Sequence, residues 1–275
     1  MTVVVPASVK PARRRKARAA REKRMLGVAG ILLVIALAEL LPRTGVVNPR
    51  FLPPFSEWIS SLAERVQGGE FWFALGDTLV TWFLGLAIAM VAGTVLGMVI
   101  GSMQIVKDLT QSTIEFLRPI PSVALIPLVV LTLGTDRPST LLLVVYASFW
   151  QVLLQVMYGA QDVDPVARDT ARSYRFRWWV QAYQVVWPTA LPYVVTGFRL
   201  AASVALILTI TGELIIGTPG LGKLISVAQQ SGAVASMYGL ILVTGLLGVC
   251  VNLLARAVEK RLLFWHTSVR REANG

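Results

Sequence analysis

The chain has 275 residues, 55% of them hydrophobic, with a mean hydropathy of +0.65 and a formal net charge of +11. A soluble domain of this size has no core large enough to hide that much apolar surface, so the expected solvent is a bilayer and the expected class an all-α integral membrane protein. One cysteine and one histidine exclude a disulfide framework, a thiolate metal site and histidine-based catalysis, and no cofactor or metal is expected.

Nine of the 26 Lys and Arg residues lie between Lys10 and Arg24. Ahead of an apolar run, such a block reads as a topology signal or a lipid-headgroup contact. No aromatic stacking platform accompanies it, so nucleic acid is not an expected partner. Residues 1–24 read as a disordered basic tail. Met25 to Leu41 forms the first span, short but sufficient if flanking arginines snorkel. Ala36-Leu37-Ala38 imitates a signal-peptidase site, yet Leu40 and Leu41 continue the apolar run, which favours an uncleaved anchor.

A Pro-interrupted amphipathic connection follows from Pro42 to Ala74, with Phe51-Leu52-Pro53-Pro54 and a surface helix near Ser56–Val66. Thr78 to Ile100 is the second span. Gly93, Gly97 and Gly101 make a small-xxx-small stripe along it, read as packing within the subunit ahead of a dimer contact. The third span, Ile114 to Leu133, is broken at Arg118-Pro119-Ile120-Pro121 and again at Pro127. Thr140 to Tyr158 is the fourth. Its Gln151 and Gln155, one turn apart, either face a translocation path or bond between helices.

Asp164 to Pro192 is polar and basic, out of place between apolar spans. Asp164 can cap a helix whose first residue is Pro165, where the missing N–H costs nothing. Val166, Ala167, Thr170, Ala171 and Tyr174 then share a face, while Arg168, Asp169, Arg172 and Arg175 spread over the rest. Pro188 and Pro192 are expected to close this hairpin before the fifth span, Leu191 to Ile216. Glu213 falls near the outer end of that span, as a gate-lining group or a carboxylate satisfied by nearby donors. Gly217 to Leu224 nearly spells a phosphate-binding loop, but Leu224 lacks the magnesium-binding hydroxyl and no strand precedes it. It reads as a Gly/Pro-rich turn, and no ATP binding is expected. Met237 to Val258 is the sixth span, and residues 259–275 form a basic tail, leaving 25–258 as the membrane domain.

Six spans put both termini on one side. Nineteen Lys and Arg residues fall on that side, in the N-tail, at Lys107, in the 160–190 loop and from Arg256 onward, against five on the other. The positive-inside rule therefore predicts both termini and the hairpin in the cytoplasm of a bacterial plasma membrane.

Several of these segments resemble one family. Asp169-Thr170-Ala171, Arg175 and Val185-Val186-Trp187-Pro188 fall where the "EAA" loop of bacterial ABC importer permeases carries its motif. Arg118-Pro119-Ile120-Pro121, Ala124-Leu125-Ile126-Pro127, Gly220-Leu221-Gly222 and Phe51-Leu52-Pro53-Pro54 look like the nitrate/sulfonate/taurine branch, and the likeness runs from Phe51 to Arg261. The resemblance implies the type I ABC importer permease fold, six transmembrane helices, and a dimer with a second permease copy or paralogue. It also implies two cytoplasmic ATPase subunits, which carry the hydrolysis, and an extracytoplasmic solute-binding protein. The solute it implies is a small anion such as a sulfonate, taurine, nitrate or bicarbonate. Val166, Asp169, Thr170, Ala171, Tyr174, Arg175 and Pro188 are then the ATPase-coupling residues; Gln151, Gln155 and Glu213 are path candidates. Arg175 stands where the family has a turn glycine, at a cost of about 1 kcal/mol for φ > 0, and Phe176 replaces a small residue. The alternative, an ion-gradient-coupled transporter, requires paired mid-membrane carboxylates and repeated hydropathy, neither of which is evident. A membrane enzyme would need a nucleophile–base or metal cluster, which one His and one Cys do not supply.

Overall fold

The computed structural model describes residues 10–263, and among these no strand occurs. The helices in chain order are α1 Lys10–Arg43, α2 Phe55–Gln67, α3 Gly69–Ser102, α4 Gln104–Leu117 and α5 Ile126–Leu133. They continue with α6 Arg137–Gln161, α7 Pro165–Ser173, α8 Trp178–Gln181, α9 Trp187–Ile216, α10 Leu221–Gln230 and α11 Val234–Leu262. Five segments are long and apolar enough to cross a bilayer; α4 with Ser122–Leu133, bent by 80°, makes a sixth if counted as one span.

Three sequence expectations change. The basic segment from Lys10 to Arg24 is helical and continuous with the first span, not a disordered tail. Its Ala, Arg, Lys and Glu are strong helix formers, and Pro11 sits in the first turn, where it is harmless. The rest of the N-tail, and the C-tail from 264 on with His266, lie outside the described residues. The third span does not start at Ile114: helix begins already at Gln104 and breaks after Leu117, as the Arg118–Pro121 run predicts.

Pro188 and Pro192 do not end a segment. Helix continues from Trp178 to Ile216, with Pro188 in the first turn of α9 and Pro192 inside it. The reason lies just upstream, where Ala182–Val186 forms a π-turn that shifts the hydrogen-bond register before Pro188. The Thr189 hydroxyl donates to Val185 O at 2.9 Å, replacing part of the disturbed ladder.

The centre of the bundle is α6, held between α3 and α9. Gly93, Gly97 and Gly101 on α3 lie directly against Val152, Val156 and Ala160 of α6 in the same chain, where added methyl groups would collide. Leu86, Val144, Ala201, Ala205 and Leu206 fill the space around this contact. The α2 helix lies on α11, with Trp58 stacked on Tyr238 at 4.6 Å and Arg65 hydrogen-bonded to Ser236. By contrast α1 touches the rest chiefly through Glu39, whose carboxylate accepts from the backbone N–H (2.9 Å) and hydroxyl (3.1 Å) of Ser56 in the first turn of α2.

Candidate functional site

The hairpin that the sequence singles out is built at the join of α6 and α9. The Asp164 carboxylate accepts from the Val166 N–H at 2.8 Å, and Pro165 opens α7. The Arg168 guanidinium donates to Ala160 O at 2.7 Å, tying α7 to the last turn of α6. At the other end Arg175 adopts φ +53, the one non-glycine residue with positive φ among those described. Its N–H donates to Arg172 O at 2.8 Å, and the Phe176 N–H donates to Ala171 O at 3.0 Å. Those two bonds define a Schellman turn with arginine in the position glycine usually holds. Arg175 thus takes the left-handed conformation that glycine adopts freely, at the steric cost that the sequence implies.

Replacing Arg175 by glycine should therefore relax the hairpin by about 1 kcal/mol. The expected result is slower proteolytic nicking of the 172–177 turn in the purified protein; faster nicking would mean that the arginine side chain holds the turn by contacts of its own.

Seven residues are expected to couple, and the structure sorts them. Val166 and Tyr174 are 70% and 74% exposed, and with Thr170, Phe176 and Val185 they line an open groove of about 510 Å³. Asp169 is solvent-facing and 3.8 Å from Arg172, a surface pair of little energetic weight. Ala171 lines the same groove but is only 4% exposed, so it is buried there where Val166 and Tyr174 stand open. The five residues of the predicted face, Val166, Ala167, Thr170, Ala171 and Tyr174, all line this groove. Pro188 is exposed but belongs to α9.

Of the path candidates, Gln155 lies against Gly197 where α6 meets α9, and Gln151 is half-buried one turn earlier. Glu213 is fully enclosed. Its Oε2 accepts from the Thr78 hydroxyl and from the Gly222 N–H, both at 2.9 Å, while Thr78 accepts from the Leu221 N–H at 2.9 Å. A hydroxyl pair, Thr140 with Thr218 at 2.8 Å, and the Asp77–Arg137 ion pair lie at the same end of the bundle. Thus Glu213 sits at the N-terminus of α10, a helix that the sequence reading had merged into a turn. The phosphate-loop look-alike does have an anion at its helix N-terminus, and it is the chain's own carboxylate. Gly220 (φ +152) is required there, since any side chain would strike the Glu213 carboxyl. The signal that could have revealed this is the pair Gly220 and Gly222 at the start of an amphipathic run, with an acid nine residues before.

Comparison with known proteins agrees with this architecture. Residues 71–264 match the model of the family described as binding-protein-dependent transport system inner membrane component. The chain is 27% identical to the putative aliphatic sulfonates transport permease of Bacillus subtilis strain 168, over 90% of each chain. It is also 27% identical to the taurine transport system permease of Escherichia coli K12, over 89% of this chain and 91% of that one. The nitrate import permease of Synechocystis sp. PCC 6803 shares 25% over 62% of each. Among solved structures, an amino acid ABC transporter aligns with a TM-score of 0.60 at 19% identity, covering 73% of this chain and 97% of that one. An inward-facing methionine ABC transporter aligns at 0.54 and 16%, covering 72% and 95%. With the family model spanning most of its length, this chain belongs to the binding-protein-dependent inner-membrane components, the permease subunits of ABC importers, and is a transport subunit and not an enzyme.

Proposed function

We propose that residues 25–258 form one half of a dimeric translocation path for a small anion such as a sulfonate, with both termini and the α7–α8 hairpin in the cytoplasm. Membership of the family implies ATPase and solute-binding-protein partners. The reading places the ATPase on the groove between Val166, Thr170, Tyr174 and Phe176. The observation that carries it is α7 itself: capped at both ends by its own backbone and Asp164, anchored to α6, and left with exposed apolar side chains. A helix so preorganised transmits force from a docked partner into α6 and α9, which re-aims the path between spans. An ion-coupled mechanism fares worse, because Glu39 and Glu213 are both committed to helix N-termini.

Docking is tested with Val166→Glu and Tyr174→Ala in the purified permease–ATPase complex reconstituted with its binding protein. Loss of an exposed aromatic anchor should lower substrate-stimulated ATP hydrolysis at least tenfold, equivalent to about 1.4 kcal/mol or more. Unchanged stimulation in both variants would sink the docking face. Ala171→Glu is the wrong probe, since it buries a charge inside the permease.

Orientation has its own test. With the exposed Cys250 replaced by serine, a single cysteine at Ser173 should resist an impermeant thiol reagent in intact cells and react after permeabilisation. Labelling before permeabilisation would invert the topology.

A further inference from the structure

On the opposite side of α7 from the Val166–Tyr174 groove lies a second cleft, of about 640 Å³, between the hairpin and the C-terminal end of α3. We propose that this cleft is a binding site for one anionic phospholipid.

Its inner wall is aliphatic, with Val95, Met98 and Val99 from α3 facing Val185. Val95 and Val99 are exposed, and Ile88 and Val91 extend the same exposed stripe along α3 toward the middle of the span. An exposed aliphatic stripe on a span, here as on α1 and α11, is a face for acyl chains. The stripe runs straight into the cleft, so a lipid tail lying on α3 has its head end delivered to the hairpin.

What waits there is positive. Arg168 and Arg172 project to this side of α7 and line the cleft with Trp178. The Arg172 side chain is largely solvated and only 3.8 Å from Asp169, beyond direct hydrogen bonding, so its planar fork is available for a phosphodiester. Arg168 spends one nitrogen on Ala160 O and keeps its others. Trp178, 81% exposed, stands with Trp179 and Tyr183, also exposed, along one short stretch. Amphipathic rings gather where a bilayer's headgroups begin, and that fixes the depth of the cleft at the headgroup level. Apolar wall, aromatic collar and guanidinium mouth occur in the order in which a phospholipid presents tail, glycerol and phosphate. A volume within the range of about 300–1,000 Å³ usual for small-molecule sites takes a headgroup and the first part of a tail. A free phosphate would use the arginines and leave the apolar wall wet, so the lipid is the occupant that the whole lining fits.

Bound there, the lipid braces α7 against α3 and fixes the stance of the hairpin. That effect on transport rests on the docking role proposed above; occupancy of the cleft does not.

The test uses the intact permease–ATPase complex, extracted in mild detergent and examined by native mass spectrometry after exchange into phosphatidylglycerol or phosphatidylcholine. Wild type should retain phosphatidylglycerol and release phosphatidylcholine. Arg172→Gln should retain about tenfold less phosphatidylglycerol, the loss expected for one charge-assisted contact. Val99→Trp, which fills the apolar wall without touching charge, should do the same. Equal retention of the two lipids, or undiminished phosphatidylglycerol in both variants, overturns the site. Displacement by soluble glycerol phosphate at millimolar concentration would also overturn it, in favour of a free-phosphate site. Hydrolysis in nanodiscs separates the effects: if phosphatidylglycerol binds as expected but leaves stimulated ATPase activity unchanged, the bracing effect falls and the lipid site stands, while the docking role is decided by Val166→Glu and Tyr174→Ala.

Discussion

Gly97→Val should abolish recovery of folded permease. A Cβ at this position would sit 2.8 Å from Leu153 O and 2.9 Å from Val156 Cβ, so the obstacle includes the α6 backbone itself. Side chains can rotate away from a methyl group, but a carbonyl held in a helix cannot. Gly93 and Gly101 hold the neighbouring turns at the same close approach, so α3 cannot tilt away locally without opening the whole contact. Overpacking of about 3 kcal/mol or more is expected, a large part of the stability of a single domain. Fluorescence-detected size exclusion reads the outcome: the monodisperse peak should be lost in Gly97→Val and only reduced in Gly97→Ala. A normal peak with valine would mean that α3 and α6 are not held in the contact described.

Glu213→Ala should be nearly as damaging, and Glu213→Gln should separate the reasons. Alanine leaves the Thr78 hydroxyl and the Gly222 N–H without their shared acceptor in a fully enclosed site. At about 1–3 kcal/mol for each stranded donor, the loss is roughly 4 kcal/mol before any cavity term. Glutamine keeps an acceptor oxygen for both donors, but its NH2 takes the place of Oε1, which is buried with no hydrogen-bond partner, at a cost of about 1–3 kcal/mol. Thermal unfolding in detergent should therefore rank wild type, Gln and Ala in that order. Were Glu213 a group of the transport path and not a structural cap, Gln would instead impair transport at unchanged stability.

Much of this was legible in the sequence because it is local. Asp164-Pro165 announces a helix start, Arg118-Pro119-Ile120-Pro121 announces a break, and the stretch Thr78 to Ile100 can only be a span. The special backbone of Arg175 was legible too, by comparison with a glycine that the family uses there. What escaped is what depends on distant chain. The burial of Ala171 within its groove depends on Phe176 and the π-turn residue Val185, which line it too and which no wheel drawn on α7 alone contains. Pro188 and Pro192 read as terminators because a terminator and a register shift look alike until the preceding five residues are seen in π geometry. Glu213 could be placed near a span end, but its partner Thr78 lies 135 residues earlier.

The two span-end carboxylates share an arrangement with a bearing on biosynthesis. Glu39 reaches the start of α2 at Ser56, 17 residues later, and Glu213 reaches the start of α10 at Gly222, nine residues later. Each acid therefore leaves the ribosome only moments before the N–H groups that will hold it. At about 5–20 residues per second, the wait is on the order of one second for Glu213 and up to about three for Glu39. For Glu213, Thr78 is by then already made, in a span inserted long before. A charged group released sideways into lipid alone would be expensive, but here its shelter arrives on nearly the timescale of its exit. Slow synonymous codons over residues 214–221 would stretch that interval without altering the finished contacts, turning a question of folding stability into one of insertion timing.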